Sequence, residues 1–188
     1  MQTGGVALRW ERLFADLEAQ AEASEAADVA AEVAERTRAE TARIELRQRL
    51  SATIGRRITV TMSGSGRHVG RLTAVGRDWL LLGEAVGGDL LVSLTAVATV
   101  STEGRWPVGA APDAISMRLG IGHVLRGLAR DRAAVTVTFA DGQQVSGTVD
   151  AVGADHFSLG RRREERARPA AYESLLVSTA AVSWIRSS

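Results

Sequence analysis

Between Arg161 and Arg168 the chain reads Arg-Arg-Arg-Glu-Glu-Arg-Ala-Arg, five guanidinium groups against two carboxylates. Such density can neutralise phosphates, so Arg161, Arg162, Arg163, Arg166 and Arg168 are candidate nucleic-acid contacts, and binding through them would weaken steeply with salt. No aromatic residue inside the cluster could stack on a base, and Tyr172 follows only beyond it. The same run reads as a solvated or partner-facing loop. Asp78 and Asp155 both follow a Val-Gly-x step, where an aspartate side chain can accept hydrogen bonds from turn amides.

The other reactive residue types point away from catalysis. His68, His123 and His156 fall in different segments with no i, i+4 pair, so no metal site is expected. Gly120, Gly122 and Gly127 miss the G-x-G-x-x-G spacing and follow no strand, which argues against a dinucleotide loop. The chain has no cysteine, which excludes disulfides, thiolate nucleophiles and cysteine-held zinc. Neither G-x-S-x-G nor another nucleophile motif is present. The expectation is a protein that is not an enzyme and carries no cofactor.

Composition bounds the remaining possibilities. With 45% hydrophobic and 24% charged residues the chain lies in the ordinary globular range. Its 23 basic and 22 acidic residues give no global field for holding a polyanion. Residues 1–54 contain 7 Arg against 10 Asp plus Glu, net −3, leaving net +4 for the rest. Every basic residue is Arg and none is Lys; alongside abundant Ala and Gly this fits a GC-rich genome better than a demand for guanidinium chemistry. The longest stretch without charge, Leu90 to Thr102, is 13 residues, too short to cross a bilayer. The first residues lack the pattern of a secretory signal. A cytoplasmic location without a membrane span is expected.

The elements that must position these residues follow from periodicity. No proline lies between Ala7 and Ile54, and no glycine between Gly5 and Gly55, so one long Ala-rich amphipathic helix is expected over 1–45. Trp10, Leu13, Phe14 and Leu17 form an apolar stripe at helical spacing. That stripe is a candidate face for binding a protein partner or for self-association. From Gly55 the pattern changes to alternation, as in Ile58, Val60 and Met62, broken by Gly and Ser turns.

The second half repeats the first. Ile-Thr-Val-Thr at 58–61 matches Val-Thr-Val-Thr at 135–138, and GRLTAVGRDWLLLG from Gly70 matches GTVDAVGADHFSLG from Gly147, both 77 residues apart (135 − 58; 147 − 70). LLVSLTAVATV from Leu90 then matches LLVSTAAVSWI from Leu175, now 85 apart (175 − 90). An internal duplication is inferred. Each copy has a helical lead-in, Ile44 to Ile54 and Ile115 to Leu128. The domains are read as 1–45 helix, 46–101 first barrel, 102–114 connector and 115–188 second barrel. Within the connector, Trp106 beside Pro107 is expected to pack into a junction.

A helix followed by V-x-V, a Gly-bearing turn, V-x-G-x-L/V, an Asp before a hydrophobic strand and a final strand pair resembles the Sm-like fold. The likeness covers about 46–100 and about 117–187. It implies a mainly β protein with an N-terminal helix, built as two tandem helix-plus-five-strand barrels whose strand edges pair between neighbours. The uridine pocket of RNA-binding members does not transfer. Asp78 is followed by Trp-Leu-Leu-Leu and Asp155 by His-Phe-Ser-Leu where those members carry an Asn, and the chain has no asparagine. Ser93-Leu94-Thr95 and Ser178-Thr179-Ala180 stand in place of Arg-Gly. The whole chain also resembles actinobacterial proteins opening on W-E-R-L-F-x-D-L-E-x-Q, here Trp10 to Gln20, and no function is carried over from them. The resulting expectation is a non-enzymatic interaction or assembly protein, with low-specificity nucleic-acid binding through the arginine loop as the alternative.

Overall fold

A computed structural model describes residues 4–85, 87–107, 115–163 and 171–187. The chain divides into two compact units, Met1–Ile44 and Glu45–Ser188. The first is the helix α1 (Gly4–Ala42), 39 residues long. Its uninterrupted run of helix formers explains its length, and pairs such as Glu32–Arg36 at 2.7 Å and Glu35–Arg38 at 2.9 Å brace it locally. Taken over the full length, its apolar residues do not collect on one side, so the apolar stripe is local. No described helix is long and apolar enough to cross a membrane.

The second unit is mainly β. Its elements are α2 (Leu46–Ser51), β1 (Arg57–Met62), β2 (Gly66–Val75), β3 (Trp79–Gly83), β4 (Asp89–Ser93), β5 (Val97–Thr102), α3 (Ile121–Arg130), β6 (Ala134–Phe139), β7 (Gln144–Val152), β8 (His156–Arg163), β9 (Ala171–Ser178) and β10 (Val182–Ser187). Helix α2 starts where the Glu45 amide donates to Gln48 Oε1 at 2.8 Å. Gly55 follows it at φ +89°, a left-handed conformation that glycine adopts without strain.

All ten strands form one antiparallel sheet in the order β5-β1-β2-β3-β4-β10-β6-β7-β8-β9. The two halves are laid out alike. The β2–β3 pairing shifts register between Leu72 and Ala74, and the β7–β8 pairing between Val149 and Ala151. A single 3-10 turn separates β4 from β5 (Leu94–Ala96) and β9 from β10 (Thr179–Ala181). Strand β2 passes so close to β3 that a Cβ on Gly70 would lie 2.8 Å from the Gly83 carbonyl oxygen; Gly147 and Gly160 repeat this at 2.5 Å.

The sheet is continuous and not closed: it runs from β5 to β9, and the outer hydrogen-bonding edge of β4 pairs with β10. Backbone donors and acceptors are alike in every strand, so an edge is satisfied by whichever strand the packing brings alongside.

The packing confirms how tightly the halves are joined. One core gathers Leu50, Ile58, Val60, Leu72, Leu82, Leu90 and Val92 together with Trp184 from β10. The other gathers Leu125, Val135, Val137, Val149, Phe157, Leu159 and Ile185 together with Trp79 and Leu91 from the first half. Each half therefore lends large side chains to the other's core. The turns meet as well: Gly64, at φ +75°, sits against the backbone of Ala140 in the β6–β7 turn. Gly64→Ala is expected to cost about 2 kcal/mol or more, from left-handed strain plus a backbone overlap. Gly66→Ala, at φ +104° with open space around its Cβ position, should cost less. Equal costs in urea denaturation would show that the turn contact contributes nothing.

Candidate functional site

Three surfaces compete for the role. On α1, every described side chain from Phe14 to Ala42 is exposed, including Phe14, Leu17, Val29 and Val33. The side chains of Trp10 and Leu13 lie outside the described residues, so only half of the apolar stripe can be located. Of the arginine cluster, Arg161, Arg162 and Arg163 form the end of β8. Arg166 and Arg168 lie outside the described residues, as do the side chains of Arg162 and Arg163.

Arg161 does not stand as an open phosphate ligand. Its Nε donates to Glu173 Oε2 at 2.7 Å across the β8–β9 pair. It borders an open cleft of about 670 Å³ on the second half, with Arg132, Thr136, Ser146, Asp150 and Tyr172 around it. Among the described residues, the cleft holds Arg132, Arg161 and Asp150, and the Arg161 guanidinium is bonded to Glu173.

Tyr172 lies over Gly160, where any Cβ would overlap the phenol oxygen, and donates its hydroxyl to Asp150 Oδ2. That bond to a carboxylate holds the phenol pKa above its ordinary 10.0, with desolvation adding in the same direction. Tyr172 is the single tyrosine of the chain, which gives a clean spectroscopic prediction. Phenolate absorbance should appear only above the usual tyrosine range, and Asp150→Asn should bring the midpoint back down. Because the pKa is raised in the folded state, the latch is intact below pH 10.0 and is lost as pH rises through the raised value. A midpoint that Asp150→Asn leaves unmoved would rule out the latch.

The third surface is the seam between halves, with the strand edges that match it. At the seam, β10 faces β4 in the register Trp184↔Val92, Ile185↔Leu91, Arg186↔Leu90. Trp184 donates Nε1–H to the Ser65 carbonyl at 3.1 Å, and the Ser65 and Ser183 hydroxyls bond one another. Glu84 binds two partners, Arg186 Nη2 at 2.5 Å and His68 Nδ1 at 2.8 Å. The Arg186 guanidinium lies 5.3 Å from the Trp184 ring centroid, and the His68 ring meets Trp184 edge-on at 5.1 Å. The first half grips α3 too. Asp78 Oδ1 accepts the Ile121 amide at 2.7 Å, and Trp79 donates Nε1–H to the Leu119 carbonyl at 2.9 Å.

Asp78 thus bonds the start of a helix from the other half, where its sequence setting suggests a local turn. Asp155, at the matching position, bonds His156 at 2.9 Å, and this holds its carboxyl below the ordinary carboxylate range. Trp106 packs on the first core, beside a small cavity of about 280 Å³ that it lines with Leu46, Arg49 and Val100.

The sheet ends in two edges, β5 and β9, that pair with nothing further among the described residues. They match the two strands of the seam. Leu91 on β4 is 3% exposed, whereas Leu176 at the matching place on β9 (91 + 85) is 74% exposed. On β10, Val182, Ser183, Trp184 and Ile185 are all buried; on β5, Ala98 and Thr99 are exposed and Val97 and Val100 half-buried. Reading the sequence for chemistry missed these edges, since they carry no reactive residue type. The signal available was the polarity change between matched positions, Trp79 against His156 and Trp184 against Thr99.

Set against models of known protein families, curated proteins and solved structures, the chain matches none of them.

Proposed function

We propose that this chain is a non-enzymatic assembly protein. Two tandem Sm-like small barrels, related by internal duplication, form its body, and α1 recruits a protein partner or a second copy. The observation that carries this reading is the exposure of apolar side chains on α1, Phe14, Leu17, Val29 and Val33 among them. Helices gain most of their stability from burying an apolar face, and α1, an Ala-rich helix of 39 residues, exposes these apolar side chains. The repeated strand layout, with register shifts and 3-10 turns at matching places, supports the Sm-like reading of the body. Nucleic-acid binding through the arginine loop has less support, since Arg161 is paired with Glu173.

The test is the double variant Phe14→Glu with Leu17→Glu in the full chain. Light scattering should show a smaller assembly, or a partner that co-purifies with the wild type should be lost. Helical ellipticity should fall, while the thermal transition of the β unit stays in place. Unchanged mass, partner and ellipticity would overturn the recruiting role of α1.

A further inference from the structure

The repeat within the β unit supplies its own comparison for the cleft on the second half. Gly147, Gly160 and Arg161 border that cleft, of about 670 Å³. Their counterparts 77 residues earlier, Gly70, Gly83 and Glu84, border a cavity of about 250 Å³ on the first half. We infer that the larger cleft is a binding site for a free α-amino acid, its carboxylate held by Arg132 and its ammonium group by Asp150. This adds a small-molecule site to the assembly role proposed above and does not depend on it.

Three differences between the two places carry the inference. The first is size. Arg57 and Arg71 line the first-half cavity, and Arg71 turns back to donate to the Gly55 carbonyl. Ala134 and Thr148 stand at the matching positions of the second half (57 + 77; 71 + 77) and leave more of the cleft open. Its volume falls within the span of small-molecule sites, about 300–1,000 Å³, and that of the first-half cavity falls below it.

The second is Arg132, which stands where the first half has Gly55 (132 − 77). Among the described residues it alone takes a left-handed φ, 48°, without being a glycine. Gly55 is left-handed as well, at +89°, and has no Cβ to strain there. An arginine kept in such a conformation costs stability that glycine would spare, and costs of this kind gather where a side chain is used. No hydrogen bond or ion pair engages the Arg132 guanidinium among the described residues, and it borders the cleft.

The third is the opposite charge. Asp150 and Tyr172 replace Thr73 and Gly87 of the first half (150 − 77; 172 − 85). Asp150 accepts the Tyr172 hydroxyl, and no cation is bonded to it among the described residues. Arg132 and Asp150 act on the same phenol: the bond to Asp150 raises its pKa, and the Arg132 charge pulls the other way. The cleft therefore presents one cation and one carboxylate that are close but not joined. Arg161, its other cation, is already bonded to Glu173.

That pattern favours a ligand with both charges. A plain carboxylate would meet Arg132 but bring its charge towards Asp150, and a plain amine would do the reverse. An α-amino acid answers both. The Thr136 and Ser146 hydroxyls, bonded to one another at 2.9 Å on the cleft wall, use one proton between them and leave the other for the ligand carboxylate. The first half has Val69 in place of Ser146 and lacks the pair.

The test is isothermal titration calorimetry of the full chain with each of the twenty standard L-amino acids at low salt. At least one should bind saturably, one per chain. Its N-acetyl derivative, which lacks the ammonium group, and its carboxamide, which lacks the carboxylate, should each bind about tenfold more weakly or worse. Arg132→Gly should weaken the intact amino acid by about the same factor and leave the carboxamide unaffected. Asp150→Asn keeps an acceptor for Tyr172 and should weaken the intact amino acid while leaving the N-acetyl derivative unaffected. Unchanged circular dichroism would show that both variants fold, and the pairing of each variant with one derivative separates a direct contact from a general loosening of the cleft. Absence of binding by all twenty at millimolar concentration would overturn the inference. So would a derivative that binds as tightly as its parent, or an Arg132→Gly variant with wild-type affinity.

Discussion

Trp184→Ala is expected to destabilise the β unit by about 3–5 kcal/mol, the usual cost of emptying a buried aromatic site. Trp184 is carried by β10, yet it is buried in the core built mainly by β1 to β4. Its loss would open a cavity in that core, leave the Ser65 carbonyl without its indole donor, and remove the ring that Arg186 and His68 pack against. Trp184→Phe keeps most of the apolar volume and should be intermediate, with about 1 kcal/mol of the deficit arising from the missing N–H donor. Trp106→Ala is the appropriate control, since Trp106 is half-buried and outside the seam. Urea denaturation should show one cooperative transition for the wild type, because each core contains side chains from both halves. Were Trp184→Ala no costlier than Trp106→Ala, the seam would not be the structural centre described above.

Glu84→Ala should be nearly as damaging, at about 2–3 kcal/mol. Removing one member of a fully buried ion pair costs roughly 3–5 kcal/mol, and the Arg186 side chain, 31% exposed, would recover part of that from water. Glu84 is only 11% exposed and binds Arg186 and His68 at once, so its truncation leaves two polar groups unpaired beneath the seam. The Nε of Arg186 already has no hydrogen-bond partner among the described residues, which makes the Glu84 bond the main polar anchor of its guanidinium. Glu84→Leu combined with Arg186→Leu should recover much of the loss, since a buried pair replaced by apolar groups is often neutral. A double-mutant cycle should give a coupling of about 1–3 kcal/mol. Additive costs would show that the two residues act separately.

Both experiments bear on a seam that the sequence conceals better than it conceals the strands. Ile58, Val60 and Met62 alternate in the sequence and are buried in the structure, and the stretch from Val6 to Ile54, free of Gly and Pro, is helical as the long α1 up to Ala42 and again as the short α2. Those features are local. A side chain's period reports which face of its own element is dry, and the glycines at 70 and 147 report that a neighbouring backbone passes close. Neither reports which strand is the neighbour. Asp78 illustrates the difference: its setting suggests a turn of its own, and the amide it binds belongs to Ile121, 43 residues on.

The arginine cluster shows the converse. Five arginines in eight residues are conspicuous in the sequence, but their net effect depends on what stands across the sheet, and the β8–β9 register sets Glu173 opposite Arg161. Leu176, by contrast, looks like any other core leucine of a Leu-Leu-Val strand. Only its place on the last strand of the sheet leaves it exposed.

By itself, then, the sequence determined the helix, the strand positions, the glycine bends and the similarity of the two halves, because each depends on side-chain type at short range. The tertiary structure decided that β4 meets β10, that tryptophans from each half fill the other's core, and that β5 and β9 remain bare. Those outcomes turn on backbone groups identical in every strand, whose pairing is settled by the packing of the whole unit.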